Sequence, residues 1–561
     1  MSQTCDTRGI EYAPHGSRRH TARGTRLLGG LATAVAAACL LPMVAVAIAA
    51  LTGGTDTVRH LLATVLPGYA GATLVLVILV ALGTFAIGVG AAWLVTMTRF
   101  PGVRLLEIAL VLPLAFPAYV LAYAYTHLLD HPGLVQSTLR DMTGWGPRDY
   151  WFPEIRSLGG AAVMLVLVFY PYVYLLARAA FLQQSSGAFL AARTLGNSAW
   201  TAFWRVSLPM ARPAIAGGVL LAVMETIADF GTVAYFGVQT FATGIYTSWF
   251  TMADRAAAAQ LALCLLAFAL VLAVAERSTR GRAQYHHAGK RHMKMPPAQL
   301  RGGRAALAFA LCATPVLLGF LLPTVILFTM GLGSEQDLLS RRYTGFIRNS
   351  VTLAGTAAVV TLAAAIAVGF YQRLRPGRRS TTTAYLARLG YAVPGGVIAV
   401  GLLVPFAAFD NAFDAWMRET FDISTGLLIT GSIWLLVAAY MVRFLAAALG
   451  AYEGGQSTVH MHMDAAARSL GESPLGTLRR IHLPILTPSL LTALLIVFVD
   501  VMKELPATLI MRPFNYDTLA IQAYRLASDE RLEGAAVPSL VIVAMGLLPV
   551  ILICRQVGRR D

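Results

Sequence analysis

The amino-acid sequence predicts an all-α polytopic membrane protein, with twelve transmembrane helices in two parallel six-helix repeats. Three observations carry this: a composition too apolar for a water-soluble chain, apolar runs of about twenty residues along the whole length, and one polar segment written twice. Of 561 residues, 57% are hydrophobic and 13% charged, against about 25% charged in a soluble domain. Each apolar run is long enough to cross a hydrocarbon core of about 30 Å as a helix.

Taken in order, residues 1–26 form a basic tail with Arg18, Arg19, Arg23 and Arg26. The apolar run that follows exceeds the roughly 7–15 residues of a secretory signal core. It also has a counterpart one repeat downstream, so it is read as a retained helix. The first half, 27–275, is expected to hold spans at 27–51, 72–97, 104–126, 159–183, 211–236 and 257–275. A basic, Pro/Gly-bearing linker occupies 276–303, and its His286, His287 and His292 belong to a solvated segment rather than a metal site. The second half, 304–554, repeats the pattern at 304–329, 349–371, 383–409, 426–450, 487–511 and 534–554, and a basic tail ends the chain at 555–561.

The formal charge of +16 resides in short segments between spans, not in a foldable basic domain, which argues for topology and against nucleic-acid binding. Arg99, Arg104, Arg193, Arg205, Arg212, Arg373, Arg375, Arg378, Arg379, Arg468, Arg479 and Arg480 fall on one side with both termini, and the positive-inside rule makes that side cytoplasmic. The opposite loops carry Asp130, Asp141, Asp149 and Glu154, then Asp410, Asp414, Glu419 and Asp422. Five cysteines show no metal-ligand spacing, and Cys39, Cys264 and Cys312, which lie in apolar runs, read as packing residues.

The duplicated segment reads AARTLGNSAWTAFWRVSLPMARP from Ala191 and AARSLGESPLGTLRRIHLPILTP from Ala466. The two copies align without a gap at an offset of 275 residues, which marks an internal duplication. An even number of spans per repeat makes the halves parallel, related by an axis along the membrane normal. Each copy lies between the fourth and fifth spans of its half. Locally it reads as a short helix, a turn at Gly196 or Gly471, a second helical stretch, and a break at Pro209 or Pro484 before the next span.

The pattern Ala191-Ala192-Arg193-Thr194-Leu195-Gly196 through Phe203, Val206, Leu208 and Pro209 resembles the EAA loop of ABC importer permeases. Its second copy runs Ala466-Ala467-Arg468-Ser469-Leu470-Gly471 through Leu478, Ile481, Leu483 and Pro484. The resemblance implies the type I importer permease fold, with loops 188–212 and 463–487 docking on a separate, homodimeric ATPase. Ala191, Ala192, Arg193, Gly196, Pro209, Ala466, Ala467, Arg468, Gly471 and Pro484 are its candidate coupling residues. The family's glutamate is absent, Leu190 and Ala465 standing in its place with Asp464 adjacent. Arg193 and Arg468 are then the expected electrostatic contacts. No phosphate-binding Gly-rich loop with its Lys and hydroxyl occurs, so ATP and Mg are expected on the partner and no cofactor on this chain. A periplasmic binding protein is implied on the opposite side, and a bacterial inner membrane as the location.

ETIADFGTVAYFGVQTFATGIYTSWF from Glu225 and KELPATLIMRPFNYDTLAIQAYRLASDE from Lys503 resemble the fused permeases of ferric iron importers, with thiamine and phosphonate permeases sharing the architecture. Independently, Glu225 and Asp229 lie four residues apart in the fifth span, and Asp500 and Glu504 hold the same places 275 residues later. Carboxylates in a membrane are costly, at least about 2.5 kcal/mol each on insertion scales, and face an interior or a water path. Two readings stand. The four line a substrate pathway suited to a hard cation that prefers oxygen ligands, or they are held internally by capping and by Lys503 and Arg512. No metal site is assigned to the chain. A major-facilitator-type transporter leaves the repeated loop unexplained, and no catalytic constellation supports a membrane enzyme.

Overall fold

The computed structural model describes residues 15–184, 186–281, 298–334, 336–337 and 340–558. His286, His287 and His292 lie outside the described residues, as do Arg559 and Arg560. Among the described residues eleven helices are long and apolar enough to cross a bilayer, and a bent pair brings the number of crossings to twelve. Spans 1 to 6 are Thr25–Thr52, Leu66–Met97, the bent pair Val103–Ala115 with Ala118–Thr143, Leu158–Gln183, Trp200–Ala228 and Arg255–Ala275. Spans 7 to 12 are Gly303–Leu332, Arg341–Leu374, Gly395–Phe421, Ile433–Gln456, Pro474–Met502 and Leu532–Leu552. Thr98–Arg99 pairs in parallel with Ala298–Gln299, fastening the end of the linker to the turn between spans 2 and 3.

The helices present two faces. On span 2, Leu74, Ile78 and Leu82 are exposed while Leu76, Val80 and Thr84 are buried, one stripe towards lipid and the other towards protein. Lipid tails are as apolar as leucine, so the helices hold together through close packing rather than hydrophobic burial. A side chain on Gly218 of span 5 would begin 2.8 Å from Val173 Cα of span 4, so only glycine admits this approach.

Four sequence expectations need correction. The third span of each half is not one straight helix. The first bends by 95° at Phe116–Pro117, and in the second the helix Arg378–Arg388 and its short continuation to Ala392 stop at Val393–Pro394 before Gly395–Phe421 begins. Proline lacks an N–H and forces the residue before it out of helical geometry. The fifth spans end earlier than expected, at Ala228 and Met502, and short helices Gly231–Tyr235 and Pro506–Met511 follow. Pro209 and Pro484 do not break the chain. Each follows a five-residue π turn, Phe203–Ser207 or Leu478–His482, which widens the helix so that the loop's second stretch runs on into the span. Asp410 and Asp414 likewise lie on the helix of span 9 rather than in a loop, and their carboxylates accept N–H groups of Ile429, Thr430, Thr425 and Gly426.

The halves interlock. Span 1 packs on spans 8 and 9 of the second half as well as on span 6, and span 7 packs on spans 2, 3 and 4 of the first half as well as on span 12. At Gly401 of span 9 an added Cβ would fall 2.3 Å from the Pro42 carbonyl oxygen of span 1, so backbone touches backbone across the two halves.

The fourth span of each half carries an ion pair, buried in the first half and partly exposed in the second, in which the span's own residue changes sign. In the first, Arg178 of span 4 donates Nε to Glu107 Oε1 at 2.8 Å. At Arg178's place 275 residues later stands Glu453, paired with Arg388. Arg178→Glu alone is expected to cost about 3 kcal/mol by stranding Glu107, whereas Glu107→Arg with Arg178→Glu recovers most of the thermal stability of the purified protein in detergent.

Candidate functional site

The two repeated loops share a local geometry. Ser186–Thr194 and Met461–Ser469 are short helices, and each ends in a glycine with positive φ, 87° at Gly196 and 82° at Gly471. The closing hydrogen bonds match. Gly196 N donates to Arg193 O and Asn197 N to Ala192 O, as Gly471 N does to Arg468 O and Glu472 N to Ala467 O, all at 3.0–3.1 Å. This left-handed cap is the reason for glycine at both positions. Ala192 and Ala467 face inwards, while Ala191 and Ala466 are exposed. Arg193 and Arg468 are exposed and bond within their own loops, Arg193 Nη1 to Asn197 O at 3.0 Å and Arg468 Nε to Asp464 O at 3.3 Å.

Sequence reasoning missed what lies beside them. Leu195 and Leu470, equivalent across the repeat, are 82% and 84% exposed at the tips of the loops, with Trp200 and Leu475 exposed nearby.

The loops are anchored differently. Asp464 Oδ2 accepts Arg373 Nε at 2.7 Å, and His482 Nε2 donates to Asp464 Oδ1 at 2.6 Å. The same guanidinium caps the Gln456 and Val459 carbonyls. Burial alone would raise the Asp464 pKa, and the bonds from His482 and Arg373 more than reverse it, holding the carboxyl below the usual carboxylate range. In the first half Phe189 stands at the equivalent place, and the loop rests on Trp93, whose ring centroid lies 5.9 Å from Phe189 and 4.5 Å from Phe203. The acid beside the family's missing glutamate is therefore an anchor. Its partners Arg373 and His482 lie 91 and 18 residues away in sequence, and only the fold brings them together.

The four intramembrane carboxylates all line one cavity of about 260 Å³, where the two halves meet. They divide into two kinds. Asp229 is not on the helix face expected for it: the helix ends at Ala228, and Asp229 is extended, with ψ 128°. Its oxygens accept Thr232 N, Val233 N and Thr232 Oγ1 at 3.0–3.3 Å, capping the next helix. Glu504 does the same for Pro506–Met511, accepting Ala507 N, Thr508 N and Thr508 Oγ1 at 2.7–3.0 Å. Glu225 and Asp500 keep their oxygens towards the cavity. Tyr391 donates to Glu225 Oε1 at 3.3 Å, Arg443 Nη2 lies 3.9 Å from Glu225 Oε2, and Lys503 Nζ lies 2.8 Å from Asp500 Oδ1. Arg512 answers Asp517 instead. Arg443, absent from the sequence reading, is the fixed cation of span 10. Its signal was a lone arginine inside an apolar run.

The cavity is closed on one side by the short helices. Tyr119 of the first half donates to the Lys503 carbonyl at 3.4 Å, and a Cβ on Gly231 would lie 2.7 Å from Tyr119 and 3.0 Å from Leu505. Further towards the face opposite the repeated loops, Arg156 forks onto Glu530 at 2.7 and 2.8 Å and reaches Asp130 at 2.9 Å, tying first half to second. Among the described residues no group of three or more His, Cys, Asp or Glu side chains converges as metal ligands would.

Residues 84–279 and 360–560 each match the family described as binding-protein-dependent transport system inner membrane component. An Fe(3+)-transport system permease protein of Haemophilus influenzae is 26% identical over 488 residues, covering 86% of this chain and 88% of that protein. A ferric transport system permease protein of Actinobacillus pleuropneumoniae is 24% identical over 459 residues, 78% of this chain and 63% of that protein. A molybdenum transport system permease protein of Escherichia coli is 28% identical over 190 residues, 33% of this chain and 80% of that one. The chain belongs to the family of binding-protein-dependent inner membrane permeases, the membrane subunits of ABC importers, with the family domain present twice.

Asp464's role in anchoring is open to measurement. Because its carboxyl titrates lower in the folded protein than in the unfolded chain, the stabilisation is present above about pH 4 and is lost as pH falls through the folded value. Asp464→Asn is expected to cost roughly 3 kcal/mol at neutral pH and to open the second loop to limited proteolysis. Wild-type protein is expected to resist cleavage there until acid pH protonates Asp464.

Proposed function

We propose that this permease carries ferric iron inward, by alternating access, through the cavity between its halves. The single observation that carries the reading is the acid-lined cavity: four carboxylates, paired by the repeat, line a space between the halves. Oxygen anions are the ligands a hard trivalent cation prefers. Similarity to the Haemophilus influenzae ferric permease over most of both chains points the same way. Glu225 and Asp500 are then the groups that cargo meets. Asp229 and Glu504 shape the path by holding the ends of the gate helices.

In this reading the arginine-bearing loops face the cytoplasm with both termini, by the positive-inside rule. Each loop seats on one subunit of a homodimeric ATPase, which holds ATP and Mg and performs the hydrolysis. This chain holds no cofactor and catalyses no reaction of its own. A binding protein delivers cargo at the opposite face, near the Arg156–Glu530 clasp. ATP binding draws the two loops together and rocks the halves so that the clasped side opens; hydrolysis reverses the motion. The clasp suits that task because its side chains are substantially exposed, and an exposed pair of this kind is worth only about 1 kcal/mol or less.

Two experiments test the assignment. A strain lacking its own ferric uptake and expressing this permease with its ATPase and binding protein is expected to accumulate radiolabelled ferric iron. Glu225→Gln with Asp500→Asn should lower that uptake at least tenfold at unchanged membrane abundance, and uptake of molybdate, phosphonate or thiamine instead of iron overturns the reading. Separately, Leu195→Asp with Leu470→Asp should abolish co-purification of the ATPase while the permease still inserts and elutes as the wild type does. Retained association would remove the loops from the coupling role.

A further inference from the structure

The cavity carries an asymmetry that the duplication does not account for. Its carboxylates come in repeat-equivalent pairs, Glu225 with Asp500 and Asp229 with Glu504, but its cations do not. The residue equivalent to Lys503 is Ala228 and the one equivalent to Arg443 is Val168, and both of these also line the cavity. The acids repeat with the fold. The positive charges stand in the second half only, one facing an acid of each half.

The cations are also placed selectively. Asp229 and Glu504 have their oxygens taken up by backbone N–H groups and threonine hydroxyls. Lys503 and Arg443 instead face Asp500 and Glu225, the two carboxylates left open to the cavity. These pairings are not sealed. Lys503 and Asp500 are 27% and 28% exposed, and Arg443 approaches Glu225 only to 3.9 Å with its Nη1 making no hydrogen bond.

We propose that Lys503 and Arg443 are built-in counter-ions, which hold Asp500 and Glu225 while the pathway is empty and are displaced as a hard multivalent cation passes. This rests on the ferric iron reading above. A trivalent ion meeting bare carboxylates in a low-dielectric space would be held too tightly to leave. With resident cations each carboxylate exchanges one partner for another, so the net gain on binding is a small difference between two pairings. The Arg443–Glu225 contact joins span 10 of one half to span 5 of the other. Arrival of cargo therefore also loosens a contact between the halves.

The test is equilibrium binding of Tb³⁺, a redox-inert hard trivalent cation, to the purified full-length permease in detergent. Emission sensitised by the nearby Tyr172 and Tyr391 reports binding, and Glu225→Gln with Asp500→Asn supplies the background from surface sites. Lys503→Met is expected to tighten binding at least tenfold, Lys503→Arg to leave it as in the wild type, and Lys503→Met with Asp500→Asn to abolish the gain. Arg443→Gln carries the same expectation through Glu225, should Lys503→Met fail to fold. Unchanged or weaker Tb³⁺ binding in a folded cation-less variant overturns the counter-ion role. Wild-type iron uptake is scored separately. Uptake of iron without a response of Tb³⁺ affinity overturns this inference alone, and absence of iron uptake overturns the reading beneath it.

Discussion

A backbone N–H left without an acceptor inside a bilayer costs several kcal/mol, since no water is there to take it. Several departures from a straight helix in this protein are arranged around that cost. Where the fifth spans stop short of the membrane face, the freed N–H groups of the next helix are met by Asp229 in one half and Glu504 in the other. From within span 9, Asp410 accepts the N–H groups of Ile429 and Thr430 in the loop before span 10. The broken helices make a cavity possible, and carboxylates make the breaks possible. An acid in such a place serves the backbone first and cargo second. That ordering separates Asp229 and Glu504 from Glu225 and Asp500, although all four look alike in sequence.

The duplication preserves architecture and lets chemistry drift. Both repeated loops turn on a left-handed glycine with matching hydrogen bonds, yet one is seated on Trp93 and Phe203 and the other on Arg373, Asp464 and His482. Arg178, which pairs with Glu107, has Glu453 at its equivalent place, and Glu453 pairs with Arg388 from a position that is not equivalent to Glu107. Positions that set backbone path are retained, and positions that only fill or neutralise are free to change between aromatic and ionic solutions. A single-chain permease can hold such differences because its halves never exchange partners.

Much of this was legible beforehand because it is periodic or local. Apolar runs mark the spans, the 275-residue offset marks the repeat, and Gly196 and Gly471 mark turns that need positive φ. The bends at Pro117 and Pro394 were also written locally, and were passed over because the apolar run continues through them. Pro209 and Pro484 misled for the opposite reason: a π turn absorbs the missing N–H and keeps the helix whole. What could not be read was contact between distant segments. Nothing near Asp464 names Arg373, and nothing near Glu225 names Arg443 or Tyr391.

The exchange of first helices between halves has a consequence for how the protein is made. Pro42 rests against Gly401, so span 1 completes its packing only after span 9 has been synthesised. At translation rates of about 5–20 residues per second, that wait lasts roughly 20–70 s. Throughout it the helix can pack on span 6 of its own half but not on spans 8 and 9. Assembly of the two halves is thus a single, late event in biogenesis, and neither half reaches its final packing while the other is missing.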